Sequence, residues 1–152
     1  MVTLNAIQDF LEPKKLAIAG ASRNPKKFGG TVVTELKKRG YELFPVHPEA
    51  DEIQGIRCYR SVADLPEGVD HLYMVTRKSL SAGLVGEAVS RGIRMIWIQQ
   101  HSDTPEALEL AEKGNIRMIS GKCIFMFLDP VNGPHAFHRW MVKLFGKYPK
   151  MA

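Results

Sequence analysis

Residues 20–30 read GASRNPKKFGG, a short polar loop with Gly20 at one end and Gly29 and Gly30 at the other. Between them, Ser22, Arg23, Asn24, Lys26 and Lys27 bring a hydroxyl, an amide and three cations into six residues. That set attracts anions, and the glycines let the backbone approach a ligand closely. If the loop opens a helix, its first N–H groups and the positive end of the helix dipole add to the attraction. The chemistry on offer is phosphate binding.

Other residue types could do chemistry elsewhere. His47 ends the apolar run LFPV and is followed by Pro48. Gln99 and His101 follow IRMIWI, and Cys123 closes MISGKC. Each has a structural alternative. Ser22 can cap the next turn, His47 can be an exposed turn residue, and Cys123 is more readily a buried core thiol than a partner for a thiol-bearing ligand. His101 and Asp103 are two apart, a poor spacing for a base and its orienter. His135 and His138 share a helical face but have no third ligand near them in sequence, so no metal is expected. No serine occupies a G-x-S-x-G elbow.

The elements that would position these groups follow from apolar periodicity. Strand-length runs at 15–19 (KLAIA), 41–46 (YELFPV), 71–76 (HLYMVT), 93–98 (IRMIWI) and 115–120 (NIRMIS) alternate with amphipathic segments at 30–40, 79–92 and 105–114. Gly40 and Gly92 read as helix stops, and Thr104 followed by Pro105 as a helix start. Strands alternating with helices every 25 residues or so predict an α/β fold, a doubly wound parallel sheet of about five strands. Residues 50–66 form the least regular link. An added helix is expected at 3–11, stopped by Pro13, and another at the C-terminus, where Phe137, Trp140, Met141, Leu144 and Phe145 make an apolar stripe read as core packing. The whole chain, 1–152, is expected to be one domain.

Composition narrows the function classes. The net charge is +5, with 45% hydrophobic and 24% charged residues. Eight basic residues lie between Lys14 and Arg39 against Glu35 alone, while residues 40–152 balance thirteen basic against thirteen acidic residues. The excess therefore falls on the first crossover. That segment has only Phe28 among its cations as an aromatic, which disfavours nucleic acid as a partner. The first residues lack the charge and apolar pattern of a leader, and the longest apolar run, CIFMFL, is too short to span a bilayer. Two cysteines without CxxC spacing predict free thiols. The expectation is a cytoplasmic protein away from membranes.

The first loop departs from the dinucleotide fingerprint G-x-G-x-x-G, placing Gly20, Ser22 and Pro25 in the three glycine positions. His47 stands where that fingerprint expects an acid for a ribose hydroxyl. A nucleotide with more phosphate charge than NAD fits better, and on charge alone coenzyme A and NADP are not separated.

GASRNP, GY before a strand, PVHP (commonly PVNP), IQGIRCYRSVADLP, IWIQ and the cysteine of MISGKC, in this order, resemble the CoA-binding domain family. The resemblance covers about residues 14–124. It implies a Rossmann-like fold similar to the N-terminal domain of the succinyl-CoA synthetase alpha subunit, with coenzyme A or an acyl-CoA as ligand. In the family, the loop matching Gly20, Ala21, Ser22, Arg23 and Asn24 lies against the coenzyme phosphates. The segment matching Pro45, Val46, His47 and Pro48 lines the adenosine end, and Thr76, Arg77 and Lys78 match residues that close the groove. Lys26, Lys27, Phe28 and Gly29 complete the expected binding set. The synthetase works with a second domain bearing a phosphorylated histidine and a nucleotide-binding partner subunit, and these 152 residues contain neither. The resulting expectation is a stand-alone binding protein without catalytic residues, with a second copy or another protein as an open partner. The alternatives are an NADP(H)-dependent oxidoreductase or an acyl-CoA-handling subunit of a larger enzyme.

Overall fold

The computed structural model describes residues 2–130, 134–144, 146 and 148–151, with backbone alone for Pro134, Phe137 and Leu144. Five parallel strands form the main sheet: β1 Lys15–Ala19, β2 Glu42–Val46, β5 His71–Met74, β6 Met95–Gln99 and β7 Arg117–Lys122. Their order is β2-β1-β5-β6-β7. This is the expected Rossmann-like α/β sheet.

Period-2 alternation decides which side chain goes where. Leu16 and Ile18 of β1, Tyr73 of β5 and Trp97 of β6 point to one face, where Val32, Val33 and Leu36 of helix α2 (Phe28–Lys38) pack on them. Ala17, Ala19, Leu72, Met74, Ile96 and Ile98 point to the other. There they meet Val85 and Ala88 of α3 (Lys78–Arg91) and Ala107 and Ala111 of α4 (Pro105–Lys113). With both faces covered the inner strands are near-continuous apolar runs, while β7 at the sheet edge carries Arg117, Ser120 and Lys122.

Two additions complete the first face. Helix α1 (Leu4–Leu11), capped by the Thr3 hydroxyl on the Ala6 N–H, buries Ile7 and Phe10. After β7, a 3₁₀ turn at Ile124–Met126 leads a fully buried run from Cys123 to Leu128 under the C-terminal helix α5 (Pro134–Leu144). The apolar stripe expected there divides. Trp140 is 58% exposed, which removes it from the core. Met141 is half-buried, and the side chains of Phe137, Leu144 and Phe145 lie outside the described residues.

The irregular link at 50–66 folds into a two-stranded hairpin, β3 (Glu52–Ile53) and β4 (Ile56–Arg57), followed by a 3₁₀ turn at Val62–Asp64. Helix α2 begins at Phe28, two residues before the expected Gly30. Gly29 and Gly30 therefore lie in the first turn of the helix. A Cβ on Gly29 would meet the Gly20 carbonyl oxygen at 2.2 Å, and one on Gly30 the Asn24 carbonyl oxygen at 2.1 Å. They are glycine because the loop lies directly against the helix start.

Candidate functional site

From β1 the chain crosses to β2 through α2, and from β5 it crosses the other way to β6 through α3. The order reverses between β1 and β5, the place where open α/β sheets form a crevice beyond their strand ends. Gly20 leaves β1 with φ +95°, and a Cβ there would meet the Val75 carbonyl oxygen at 2.2 Å. The two strand-end loops thus start in contact.

Hydrogen bonds of its own shape the first loop. The Ser22 hydroxyl accepts the Asn24 N–H (3.1 Å), Asn24 Oδ1 accepts the Lys26 N–H (2.9 Å), and the Asn24 carbonyl accepts the Lys27 N–H (3.1 Å). Ser22 so takes the turn-capping role and keeps its hydroxyl hydrogen to donate. Ala21 is buried, while Arg23, Asn24, Lys26, Lys27 and Phe28 stand exposed. Lys27 is the N-cap of α2 and offers no side-chain acceptor to the first turn. Those N–H groups have no partner within the helix either.

The second helix at the crevice repeats the pattern. Arg77 is the N-cap of α3, again without a side-chain cap, and Arg77 and Lys78 are exposed. Thr76 reaches the buried Ser81 hydroxyl at 3.4 Å, and Ser81 donates to the Ser102 carbonyl at 2.6 Å. Helix α4 differs, because the Thr104 hydroxyl accepts the Ala107 N–H at 3.1 Å and closes its first turn.

At the end of β2, Pro45 and Val46 are buried, His47 is half-buried and Pro48 is exposed. The His47 N–H donates to the Tyr59 carbonyl (2.8 Å), and its ring Nδ1 accepts the N–H groups of Glu49 (3.1 Å) and Ala50 (2.9 Å). A nitrogen accepting two N–H groups carries no proton, so the ring hydrogen sits on Nε2, away from the turn. With Nδ1 engaged in the turn, His47 has Nε2 left for another partner.

The basic cluster does not stay together. An eleven-residue helix advances about 16 Å, so the cations at its far end leave the loop behind. Lys38 and Arg39 pair with Glu35 at 3.1 and 2.6 Å. Arg39 first, then Lys38, hold the Glu35 carboxyl below its ordinary range by hydrogen bonding. Lys37 donates to the Gln54 carbonyl (2.8 Å), Lys14 donates to the Arg39 carbonyl (3.3 Å), and Lys15 lies 5.6 Å from the centre of the Phe44 ring. Only Arg23, Lys26 and Lys27 of the eight remain on the loop.

The polar residues offered for catalysis lie elsewhere on the sheet edge. Gln99 Oε1 accepts the Tyr73 hydroxyl (2.9 Å) and the Ile124 N–H (3.1 Å) in the core. Burial pushes the Tyr73 phenol well above its usual range, with Cys123 a lesser contributor. Cys123 is 3% exposed, which fits the core thiol. His101 is exposed on a backbone of φ +70°.

One residue that sequence reasoning passed over is Gln54. Its amide donates to the Gly30 carbonyl (2.8 Å) and accepts from Thr34 (3.0 Å), so the β3–β4 hairpin grips the first turns of α2. The signal available was Gln54-Gly55 as a hairpin turn, which says nothing of a helix 24 residues away.

A family model described as a CoA binding domain matches residues 14–129. The chain belongs to the CoA-binding domain family. Among similar proteins, an ADP-forming acetate–CoA ligase II of Archaeoglobus fulgidus is 30% identical over 128 residues, covering 76% of this chain and 19% of the relative. The alpha subunit of an ADP-forming acetate–CoA ligase II of Pyrococcus furiosus is 29% identical over 126 residues, covering 76% of this chain and 28% of that subunit. The chain thus matches only 19% and 28% of the length of these two curated relatives. Among solved structures, a conserved hypothetical protein from Pyrococcus furiosus superposes with a TM-score of 0.70 at 37% identity, covering 72% of this chain and 95% of that one.

Proposed function

We propose that this chain binds coenzyme A, free or acylated, at the β1/β5 crevice, and that residues 1–152 form one binding unit without catalytic chemistry of its own. The carrying observation is that α2 and α3 both open there without side-chain caps. Their first-turn N–H groups and dipole ends point to phosphate, and Lys26, Lys27, Arg77 and Lys78 add charge beside them. The pyrophosphate is held by loop 20–29, through the backbone of Gly20, Ala21 and Gly29, the Ser22 hydroxyl, and Arg23 with the two lysines. Asn24 shapes that loop, and Phe28 borders it.

The adenosine end lies along Pro45 to Pro48. Here the Nε2–H of His47 is a donor for a phosphorylated ribose, whereas an acid at this position would repel it. Thr76 and Arg77 close the opposite side. Coenzyme A carries a pyrophosphate and a ribose phosphate, and so places charge at both donor groups. The buried placement of Gln99 and Cys123 supports binding without chemistry.

The test is native mass spectrometry and small-molecule analysis of the purified chain, followed by titration with coenzyme A, dephospho-coenzyme A and NADP. Release of coenzyme A or an acyl form, and tightest binding for it, is expected. Tighter binding of NADP, or none of the three, refutes the reading.

A further inference from the structure

The β3–β4 hairpin turns on Gln54 and Gly55, whose φ values of +51° and +77° put both central residues of the turn in the left-handed region. Asparagine or glycine suits the first of these positions, and a longer side chain there strains the backbone. Such strain persists where the residue has a use elsewhere. Gln54 has one. Its Nε2 donates to the Gly30 carbonyl at 2.8 Å, and its Oε1 lies 3.0 Å from the Thr34 hydroxyl. Gly30 and Thr34 stand four apart on one face of α2, so a single side chain holds the opening turns of the helix. Asparagine is one carbon too short for this, and glycine has no side chain.

The base of the hairpin is fastened to the end of β2. The His47 N–H donates to the Tyr59 carbonyl and the Tyr59 N–H to the Pro45 carbonyl, both at 2.8 Å. Arg60 donates to the Ala50 carbonyl at 3.1 Å and pairs with Asp51. On the other side of Gln54, α2 carries the first loop with it, because the Thr31 hydroxyl lies 3.1 Å from the Pro25 carbonyl and Gly30 backs onto the Asn24 carbonyl. A path of hydrogen bonds and close contacts thus joins loop 20–29 to the His47 turn, and it passes through Gln54.

We propose that Gln54 is a positioning residue that sets the span between loop 20–29 and His47, and through that span the preference for a ligand with phosphate at both ends. This rests on the reading of the β1/β5 crevice as a coenzyme A site and adds what fixes its two donor groups relative to each other. Gln54 acts through α2 and the hairpin. Donors held in place beforehand lower the ordering cost of binding for a ligand that engages both. A ligand held at the loop alone is indifferent to the span.

Calorimetric titration of coenzyme A and dephospho-coenzyme A into the unmodified chain, Gln54→Gly and Gln54→Asn tests it. Both substitutions suit the turn, so the ligand-free Tm should stay within about 3 °C. The unmodified chain should bind coenzyme A about tenfold more tightly than its dephospho form. In both variants coenzyme A should weaken about three- to fivefold, while dephospho-coenzyme A binds within twofold of before. A residue that served stability alone would leave the ratio of the two affinities where it was. An unchanged ratio in either variant, or an equal loss for both ligands, overturns the proposal and leaves the crevice reading standing. Absence of any preference for coenzyme A in the unmodified chain instead removes the crevice reading and this one with it.

Discussion

The carboxyl edge of the sheet has two halves built by opposite rules. At β6 and β7 the polar groups are satisfied within the protein: Gln99 takes up Tyr73 and Ile124, the Trp97 indole donates to the Lys122 carbonyl at 3.1 Å, and Thr104 caps α4. At β1 and β5 the helices start without side-chain caps and the loops hold cations, and at the neighbouring end of β2 His47 accepts the Ala50 N–H on Nδ1 and leaves Nε2 for another partner. A strand end whose donors are used internally is a structural joint. One whose helix-end N–H groups are left to solvent can take its acceptor from a ligand. A polar residue at a strand end is a candidate for ligand binding only where it keeps a donor or acceptor that the protein does not use, as the Ser22 hydroxyl hydrogen is.

Substitutions can break or sharpen this contrast. The largest effect is expected for Gly20→Ala, where the positive φ and the 2.2 Å approach to Val75 force the two loops apart. A stability loss of about 2–4 kcal/mol is expected in chemical denaturation, together with loss of ligand binding. A well-folded variant that binds normally would show that the crevice geometry is not set there. Next comes Gln99→Ala, which strands the Tyr73 hydroxyl and the Ile124 N–H and should cost about 1–3 kcal/mol. Ligand affinity corrected for the folded fraction should hold, and a selective affinity loss would move the site to the other half. Thr104→Ala removes one cap and should cost about 1 kcal/mol, visible as a small drop in Tm with binding intact. The smallest effect separates the two ends of α2. Lys26→Ala with Lys27→Ala should weaken coenzyme A about three- to fivefold at low salt, a difference that shrinks as salt rises. Lys37→Ala with Lys38→Ala should change affinity by less than twofold.

Those paired variants show where the sequence is legible and where it is not. Alternating apolar runs identify all five strands because both faces of a covered parallel sheet are apolar, and Thr104-Pro105 and Gly92 mark helix ends by local chemistry. Charge clustering in sequence is a weaker guide. Lys37, Lys38 and Arg39 are near Lys26 in number but at the opposite end of a helix, where they bind Glu35 and Gln54. Gly29 and Gly30 read as places for a ligand to approach the backbone because close packing against Gly20 and Asn24 leaves no trace in a single sequence. Gln54 escapes for the same reason, since its partners are distant in the chain. Gln99 reads as a reactive group only until Tyr73 is placed beside it.

The central claim is that the β1/β5 crevice holds a ligand with both a pyrophosphate and a ribose phosphate. Thermal unfolding with coenzyme A, dephospho-coenzyme A, NAD and NADP in parallel tests it most directly. At a hundredfold excess over Kd, coenzyme A should raise Tm by about 5–10 °C, with smaller shifts for dephospho-coenzyme A and NAD. A larger shift with NADP, or equal shifts with coenzyme A and its dephospho form, would contradict it.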